Sequence, residues 1–433
     1  MKIYGWGRYS VFDAEVLKPK NIKDVQKIIK RNKKFIARGL GRSYGDSANN
    51  DVVIETNYLN NFITFDSENG IITCESGVSI QEVNRLIIPK GWFMPVTPGT
   101  SYVTIGGAIA SDVHGKNHHC EGTLSQHILS IKLMLGDGDI LTISNNINSD
   151  LFKATCGGMG LTGIIISATI KLRSIHSSQI KNTIIKANCL EEVCDQFERN
   201  FYSPYSVAWI DCLSKGKNLG RSLLFLGEHM KKGELKRNSE AQKYIPTKIC
   251  SLFLNKYLIK IFNNVYYYKN FKKKNITQLS LKEYFYPLDS FLNWNQLYGK
   301  KGFIQYQFVV PKKNGIKILK EILKIISEHN QTPFLGVLKI FGSQNENYLS
   351  FPQEGYTLAL DFKVNQDLLR LISVLDKKII NNGGRIYLTK DTLMNKETFR
   401  SCYPKWNLFE KVRAKYKAIG KFSSHQSIRL GLE

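Results

Sequence analysis

The chain has 433 residues, 42% of them hydrophobic and 22% charged, which excludes a disordered chain, a collagen-like fibre and a disulfide-dense miniprotein. Lys and Arg number 61 against 36 Asp and Glu, a formal charge of +25. That excess favours an anionic partner (nucleic acid, a phospholipid surface or a phosphorylated substrate), although the Lys-, Asn- and Ile-rich bias of an AT-rich coding sequence accounts for part of it.

The N-terminus, Met1 to Arg8, has no apolar run, so no signal peptide is expected. No stretch of about 18 apolar residues offers a membrane span. Eight cysteines are scattered singly without a CxxC, which fits reduced thiols in a cytoplasmic protein better than a zinc site or a disulfide framework. Ile22 to Ile29 reads as a helix through Val25, Ile28 and Ile29. Phe35 to Ala37 then reads as a strand running into a glycine loop: Ala37, Arg38, Gly39, Leu40, Gly41, Arg42, Ser43, Tyr44, Gly45, Asp46 and Ser47.

Glycines there let a ligand approach the backbone, and successive N–H groups can form an anion nest suited to a diphosphate, with Arg38 and Arg42 adding charge. A plain glycine-rich turn is the alternative. The spacing is neither G-x-G-x-x-G opening a helix nor a Walker A loop, which argues against NAD on a Rossmann fold and against a P-loop ATPase. Val52 to Ile54 and Ile71 to Cys74 read as strands. Ser79 to Leu86 reads as a helix with Ser79 as N-cap and Glu82 at capping-box spacing.

A second small-residue segment runs from Pro98 through Gly99, Thr104, Ile105, Gly106 and Gly107, followed by His114, Gly115, Lys116, Asn117, His118 and His119. The His114/His118 spacing would suit a metal only on a helix, and Gly115 makes a helix poor, so a loop histidine beside a cofactor is preferred. Cys156 to Gly163 is a third glycine cluster, leading into a strand at Ile164 to Ile166. Three clusters in one domain point to one large ligand touched at several places.

From about residue 178 glycine thins and lysine and aromatics rise. Residues 231–275 look least regular. Residues 303–310 alternate as a strand, 315–328 have helical periodicity, 358–362 read as a strand, and 367–381 as a helix stopped at Gly383 and Gly384. From Tyr387 a short strand and helix follow, in a tail expected to return to the first domain.

The three glycine clusters together resemble the FAD domain of the vanillyl-alcohol-oxidase-type flavoproteins. With Gly5 to Arg8, Ser206 to Trp209, Tyr286 to Asp289, Phe303 to Pro311, Lys339 to Gly342, Leu349 to Pro352 and Gly383 to Asp391, the chain resembles the decaprenylphosphoryl-β-D-ribose 2′-oxidase family over nearly its whole length, most weakly over 213–275. The resemblance implies an α+β fold: an FAD domain from 1–177, a substrate domain from 178–384, and a tail, 385–433, completing the FAD domain. It implies FAD held non-covalently, with Ala37 to Ser47 on its diphosphate and Gly99, Thr104 to Gly107, His114 to Asn117, Ile165 and Tyr387 around it.

The reaction implied is oxidation of the 2′-hydroxyl of a polyprenyl-phosphate-linked pentose by hydride transfer to flavin N5, the first half of a ribose-to-arabinose epimerisation in cell-wall arabinan synthesis. An NAD(P)H-dependent short-chain reductase would complete it. Lys390, Tyr387 and His114 match the catalytic positions. Tyr44, Gln305, Gln307, Lys339, Thr357, Ala359 and Trp6 match the substrate pocket, with Lys339 suited to phosphate and the glutamines, on one face of a strand, suited to sugar hydroxyls. Family members often carry Asn at the position of Thr357 and Cys at that of Ala359.

Residues Ile249 to Val265, with Lys256 and Lys260, and the following Tyr266 to Lys274 form a basic amphipathic segment. It suits an anionic membrane surface, which gives a peripheral location at the inner membrane face, or else a surface helix with its lysines outward. The rivals are an FAD-dependent oxidase of a soluble sugar or aldonolactone, and a nucleic-acid-binding protein. The latter leaves the glycine clusters unexplained and has no zinc-finger, KH or RRM signature, so no nucleic-acid partner is expected.

Overall fold

The structure is a computed structural model that describes residues 1–31, 34–236, 243–244, 255–270 and 272–432. The expected helix near the N-terminus forms at Ile22–Arg31 and buries Val25 and Ile29. It connects strands of a three-stranded parallel sheet, in which Glu15–Leu17 and Ile36–Arg38 flank Val52–Glu55. A five-stranded antiparallel sheet follows, in the order Ile140–Ile143, Ile128–Met134, Ile164–Lys171, Ile71–Glu75, Phe62–Asp66. The Ile80–Ile87 helix starts with the capping box read from the sequence: the Ser79 hydroxyl accepts from the Glu82 amide, and the Glu82 carboxylate accepts from the Ser79 amide.

Residues from Gln179 to Ile386 build an eight-stranded sheet in the order 274–280, 179–187, 222–229, 205–210, 336–341, 355–363, 303–311, 385–386. Period-two alternation divides its side chains between two faces. One face carries Phe308, Val310, Leu338, Ile340, Leu358 and Leu360 into a core shared with the helices Gly315–Glu328 and Gln366–Ile380. The other carries Gln305, Gln307, Thr357, Ala359 and Asp361, with Val337 and Lys339 in register beside them. It has polar residues at positions where a sheet core would be apolar.

The last segment returns to the N-terminal third. Ser423 donates to the Phe35 carbonyl, His425 to that of Asn49, and Arg429 bridges Asp46 and Asp391 at 2.7 and 3.0 Å. Arg413 is fully buried, its guanidinium donating to the carbonyls of Leu161 and Phe422 and pairing with Glu410. The fold is thus α+β, with the tail closed on the first domain.

Two readings are corrected. The short strand expected from Tyr387 lies at Arg385–Ile386, and Tyr387 to Lys390 form a turn, closed by the Lys390 amide on the Tyr387 carbonyl. Within 231–275, the stretch expected to be least regular, the described residues include the helix Lys256–Tyr268, and the strand Lys274–Ser280 begins at its end; residues 237–242 and 245–248 lie outside the described residues. Residues 249–254 of the amphipathic segment, and Phe271, lie outside the described residues.

Candidate active site

The glycine loop is clamped between the two ends of the chain. The Ser43 and Tyr44 carbonyls accept from the amides of Trp6 and Gly7, and the Tyr44 amide donates to the Thr389 carbonyl. Gly45 lies so close to the Asp391 carbonyl that a Cβ there would come within 2.0 Å of it. Gly41 has φ +61°, the left-handed backbone a nest requires. The amides of Leu40, Gly41, Arg42 and Ser43 donate to no protein group among the described residues.

A run of free amides on a rigid loop is what a diphosphate would bind. The Arg38 guanidinium lies beside Gly41 and keeps its charge at the loop, while its hydrogen bonds go to the Tyr4 and Ala48 carbonyls and to Asn49. Asp46 is likewise occupied by Arg429. Arg42 stays available, its guanidinium 3.9 Å from the centre of the Trp6 ring. Trp6, Arg42, Tyr102, Asp289 and Trp294 line a cavity of about 310 Å³.

In the second segment Thr104 caps the short helix Ile105–Ala110 by accepting from the Gly107 amide. A Cβ on Gly39 would come within 2.3 Å of the Thr104 hydroxyl, and one on Gly106 within 2.8 Å of Ser76, so both glycines are required by close packing. Packing explains much of the third cluster too: a Cβ on Gly158 would meet the Ala154 carbonyl at 2.1 Å. Gly99 has open space where its side chain would be, and Ile165 is buried.

His114 and His118 do not share a helix, since the Asn117-capped turn begins at His118. His114 is ringed by Phe341, Phe351 and Tyr387 at 4.8, 5.6 and 5.1 Å between ring centres. Burial, then the charge of Lys339, holds it far below the usual histidine range, so it is neutral. Its tautomer follows from its neighbours. The Thr357 hydroxyl donates to the Phe308 carbonyl, so it accepts from the Gln307 amide nitrogen; that nitrogen also lies 3.2 Å from His114 Nε2, which must accept. The ring proton is on Nδ1, which has no partner among the described residues. A buried, unpartnered N–H beside a run of free backbone amides fits a large polar cofactor with acceptors at several points.

Along the strands, Gln305, Lys339 and Ala359 are partly accessible where their sequence neighbours are buried. They mark where this face of the sheet is accessible. Lys339 lies close enough to repel both Lys390 and Lys116. Burial pulls Lys390 down to about 7, Lys116 to about 7 and Lys339 to about 8, and Lys339 lowers the other two by repulsion. The Lys390 ammonium lies 3.6 Å from the centre of the Tyr44 ring. The Lys116 ammonium donates to the Tyr284 carbonyl and lies over the Tyr284 ring, so its side chain reaches toward the substrate-side unit. Asn117 is tied to the Pro95 carbonyl. Tyr387 stacks on Phe351 and donates to the Ser111 carbonyl.

Asp361 was not singled out by the sequence reading. Its carboxylate accepts from Gln305 at 2.6 Å and from the Tyr298 hydroxyl at 3.2 Å, beside Lys390. Burial pushes it up to about 6. The signal was present: 357, 359 and 361 share one parity of an alternating strand.

Comparison with known proteins agrees with this arrangement. Residues 14–144 match a family described as an FAD binding domain. The whole chain is 34% identical, over 97% of the relative's length, to decaprenylphosphoryl-beta-D-ribose oxidase of Mycolicibacterium smegmatis. L-Gulonolactone oxidase of Scyliorhinus torazame is 29% identical over 41% of the chain and 42% of its own length. D-Arabinono-1,4-lactone oxidase of Candida glabrata is 24% identical over 46% of the chain and 41% of its own length.

Proposed function

The chain belongs to the decaprenylphosphoryl-beta-D-ribose oxidase family and is an FAD-dependent oxidoreductase acting on a CH–OH group, and we propose that it oxidises the 2′-hydroxyl of a polyprenyl-phosphate-linked pentose to a ketone. The observation that carries this reading is the sheet face where Lys339 and Lys390 come together with the side-chain amides of Gln305 and Gln307. Like charges placed together in low dielectric call for an anion, and paired amides call for hydroxyl groups. A phosphorylated sugar supplies both. An aldonolactone supplies no anion, and the lactone oxidases above share less than half of this chain.

Bound FAD supplies the acceptor for the two electrons and hydrogen that leave the carbinol carbon. Leu40 to Ser43 would hold its diphosphate, with Gly99, Thr104 to Gly107, His114 and Ile165 alongside; we read the attachment as non-covalent. Lys390 offsets negative charge on the hydroxyl oxygen as its proton departs. Lys339 takes the phosphate. Gln305 and Gln307 orient the sugar, Thr357 fixes Gln307, and Ala359 leaves space between Gln307 and Val337. Trp6 and Tyr44 wall the approach. The eight-stranded sheet serves as the substrate domain, and the segments 1–177 and 385–433 hold the cofactor. An NAD(P)H-dependent short-chain reductase consuming the ketone would complete an epimerisation.

A lipid-linked substrate requires access to a membrane. No helix among the described residues is long and apolar enough to cross one. The Lys256–Tyr268 helix instead turns Tyr257, Ile261, Phe262 and Val265 outward, at 79, 57, 59 and 62% exposure, while Asn263 is buried. With Lys256, Lys260, Lys269 and Lys272 to Lys274 around it, this face supports peripheral docking on the anionic inner membrane surface.

The test is anaerobic mixing of the FAD-loaded protein with polyprenyl-phosphoryl ribose, followed by visible absorbance. Bleaching of the flavin bands by this substrate, and not by an aldonolactone or free ribose, is expected; bleaching by the lactone alone would overturn the reading.

A further inference from the structure

We infer that Asp361 is a positioning residue of the substrate pocket, fixing which end of the Gln305 amide faces the sugar. The inference rests on the pocket's proposed role as a pentose site.

An ionised carboxylate only accepts hydrogen bonds. Asp361 takes the Gln305 amide nitrogen at 2.6 Å, so Gln305 must present NH₂ to it. The Gln305 carbonyl oxygen is thereby turned away from Asp361, as an acceptor for a hydroxyl. Register makes this pairing intrinsic to the sheet, because Gln305 and Asp361 lie directly opposite each other on neighbouring strands. The second carboxylate oxygen is held by the Tyr298 hydroxyl at 3.2 Å, and Tyr298 stacks on Phe303, whose ring edges Tyr44 at 5.5 Å. Asp361 is thus locked from two sides and has one variable, its proton.

The ionisable groups acting on it are Lys390 from the C-terminal turn and Tyr298 from the 294–298 turn; Tyr44, from the glycine loop, feels its charge, and Lys339, from the adjacent strand, acts on Lys390. Lys390 favours the ionised carboxylate. When Asp361 gains a proton it becomes a donor as well and no longer requires NH₂ from Gln305, whose other side-chain partner is Tyr44. A hydroxyl donor on the sugar then meets NH₂ in place of an acceptor. Asp361 at about 6 therefore sets an acid limb of substrate affinity, and Lys390 and Lys339 set the alkaline limb. Because the Asp361 charge raises Lys390, its removal also moves the alkaline limb to lower pH.

The experiment is equilibrium binding of a short-chain polyprenyl-phosphoryl ribose to the FAD-loaded protein under non-turnover conditions, from pH 5 to 9, for wild type, Asp361→Asn, Gln305→Ala and the double variant. Wild type is expected to lose affinity below pH 6. Asp361→Asn is expected to bind about tenfold more weakly at pH 6.5, as loss of a charge-assisted hydrogen bond implies, with no acid limb and an alkaline limb displaced downward. Gln305→Ala also loses the acid limb, and adding Asp361→Asn to it costs little more. If Asp361→Asn proves unstable, the disappearance of the acid limb in Gln305→Ala still supports the inference, and its persistence overturns it. Wild-type affinity and unmoved limbs in Asp361→Asn overturn it alone. A wild-type protein that does not bind the ribosyl phosphate overturns the substrate reading and this inference with it.

Discussion

His114 Nε2 and the Gln307 amide nitrogen lie 3.2 Å apart, and that contact decides the proton position of a histidine whose other nitrogen has no partner among the described residues. The orientation originates at Thr357, whose hydroxyl hydrogen is committed to the Phe308 carbonyl. Thr357→Val removes this reference and leaves the Gln307 amide free to flip. A rise of about fivefold in KM for the polyprenyl-phosphoryl pentose is expected, in line with one neutral hydrogen bond, with little change in flavin content. Steady-state kinetics alongside the flavin-to-protein absorbance ratio check it.

Lys390 is expected to act as a cation. Its affinity for a proton is lowered to about 7, so the charged form is lost as pH rises through that value. The rate of flavin reduction at saturating substrate should therefore fall above about pH 7. Lys390→Met should lower it by roughly 10²–10³-fold, the scale of removing a preorganised electrostatic group, and abolish the alkaline fall. Stopped-flow absorbance across pH measures both.

Lys339 should behave differently. Lys339→Ala is expected to raise KM for the lipid-phosphate substrate by about tenfold or more, as loss of a charge-assisted contact implies, while kcat changes less. Removing its charge also relieves Lys390, which Lys339 lowers. The alkaline limb of kcat should consequently shift upward in Lys339→Ala, a direction opposite to that expected of Asp361→Asn.

His114 stays neutral, because burial and then Lys339 both disfavour its charged form and hold it far below the usual histidine range. On the proposed non-covalent attachment, acid precipitation of the holoenzyme should release the yellow chromophore into the supernatant. Colour retained by the pellet would instead identify a covalent tether.

The membrane face has a two-part test. Replacing Tyr257, Ile261 and Phe262 by Ser, or Lys269 and Lys272 to Lys274 by Glu, should each reduce sedimentation with phosphatidylglycerol vesicles. Bleaching by a soluble short-chain substrate should be unaffected. Only the lysine changes should mimic the effect of added salt, because apolar insertion is not screened. Unchanged sedimentation in both sets would remove the docking face.

Local chemistry made much of the framework readable. The Ser79–Glu82 capping box, the β-branched strands and the helical periodicity of 315–328 involve residues within a few positions of one another, so their preferences add without knowledge of the rest of the chain. The glycine loop was readable for the same reason: the left-handed backbone at Gly41 and the close approach at Gly45 admit few other residues.

The sequence by itself determined the class of the protein: a two-part α+β chain with glycine-rich cofactor loops and, through resemblance, the lysines and glutamines of its pocket. Tertiary structure alone decided which of these groups act. Arg38, a charge in the right loop, stays beside Gly41 but has its hydrogen bonds committed to the Tyr4 and Ala48 carbonyls and to Asn49, because the first segment closes over that loop. Gly106 serves its contact with Ser76. Asp361 enters the site because strand register sets it opposite Gln305, 56 residues away. Pairing between distant strands depends on the summed burial of both faces of the sheet, a property no local window contains. The same distance separates an ordinary lysine from one whose charge is in play near neutral pH: only folding takes Lys116, Lys339 and Lys390 out of water and brings Lys339 close enough to repel the other two.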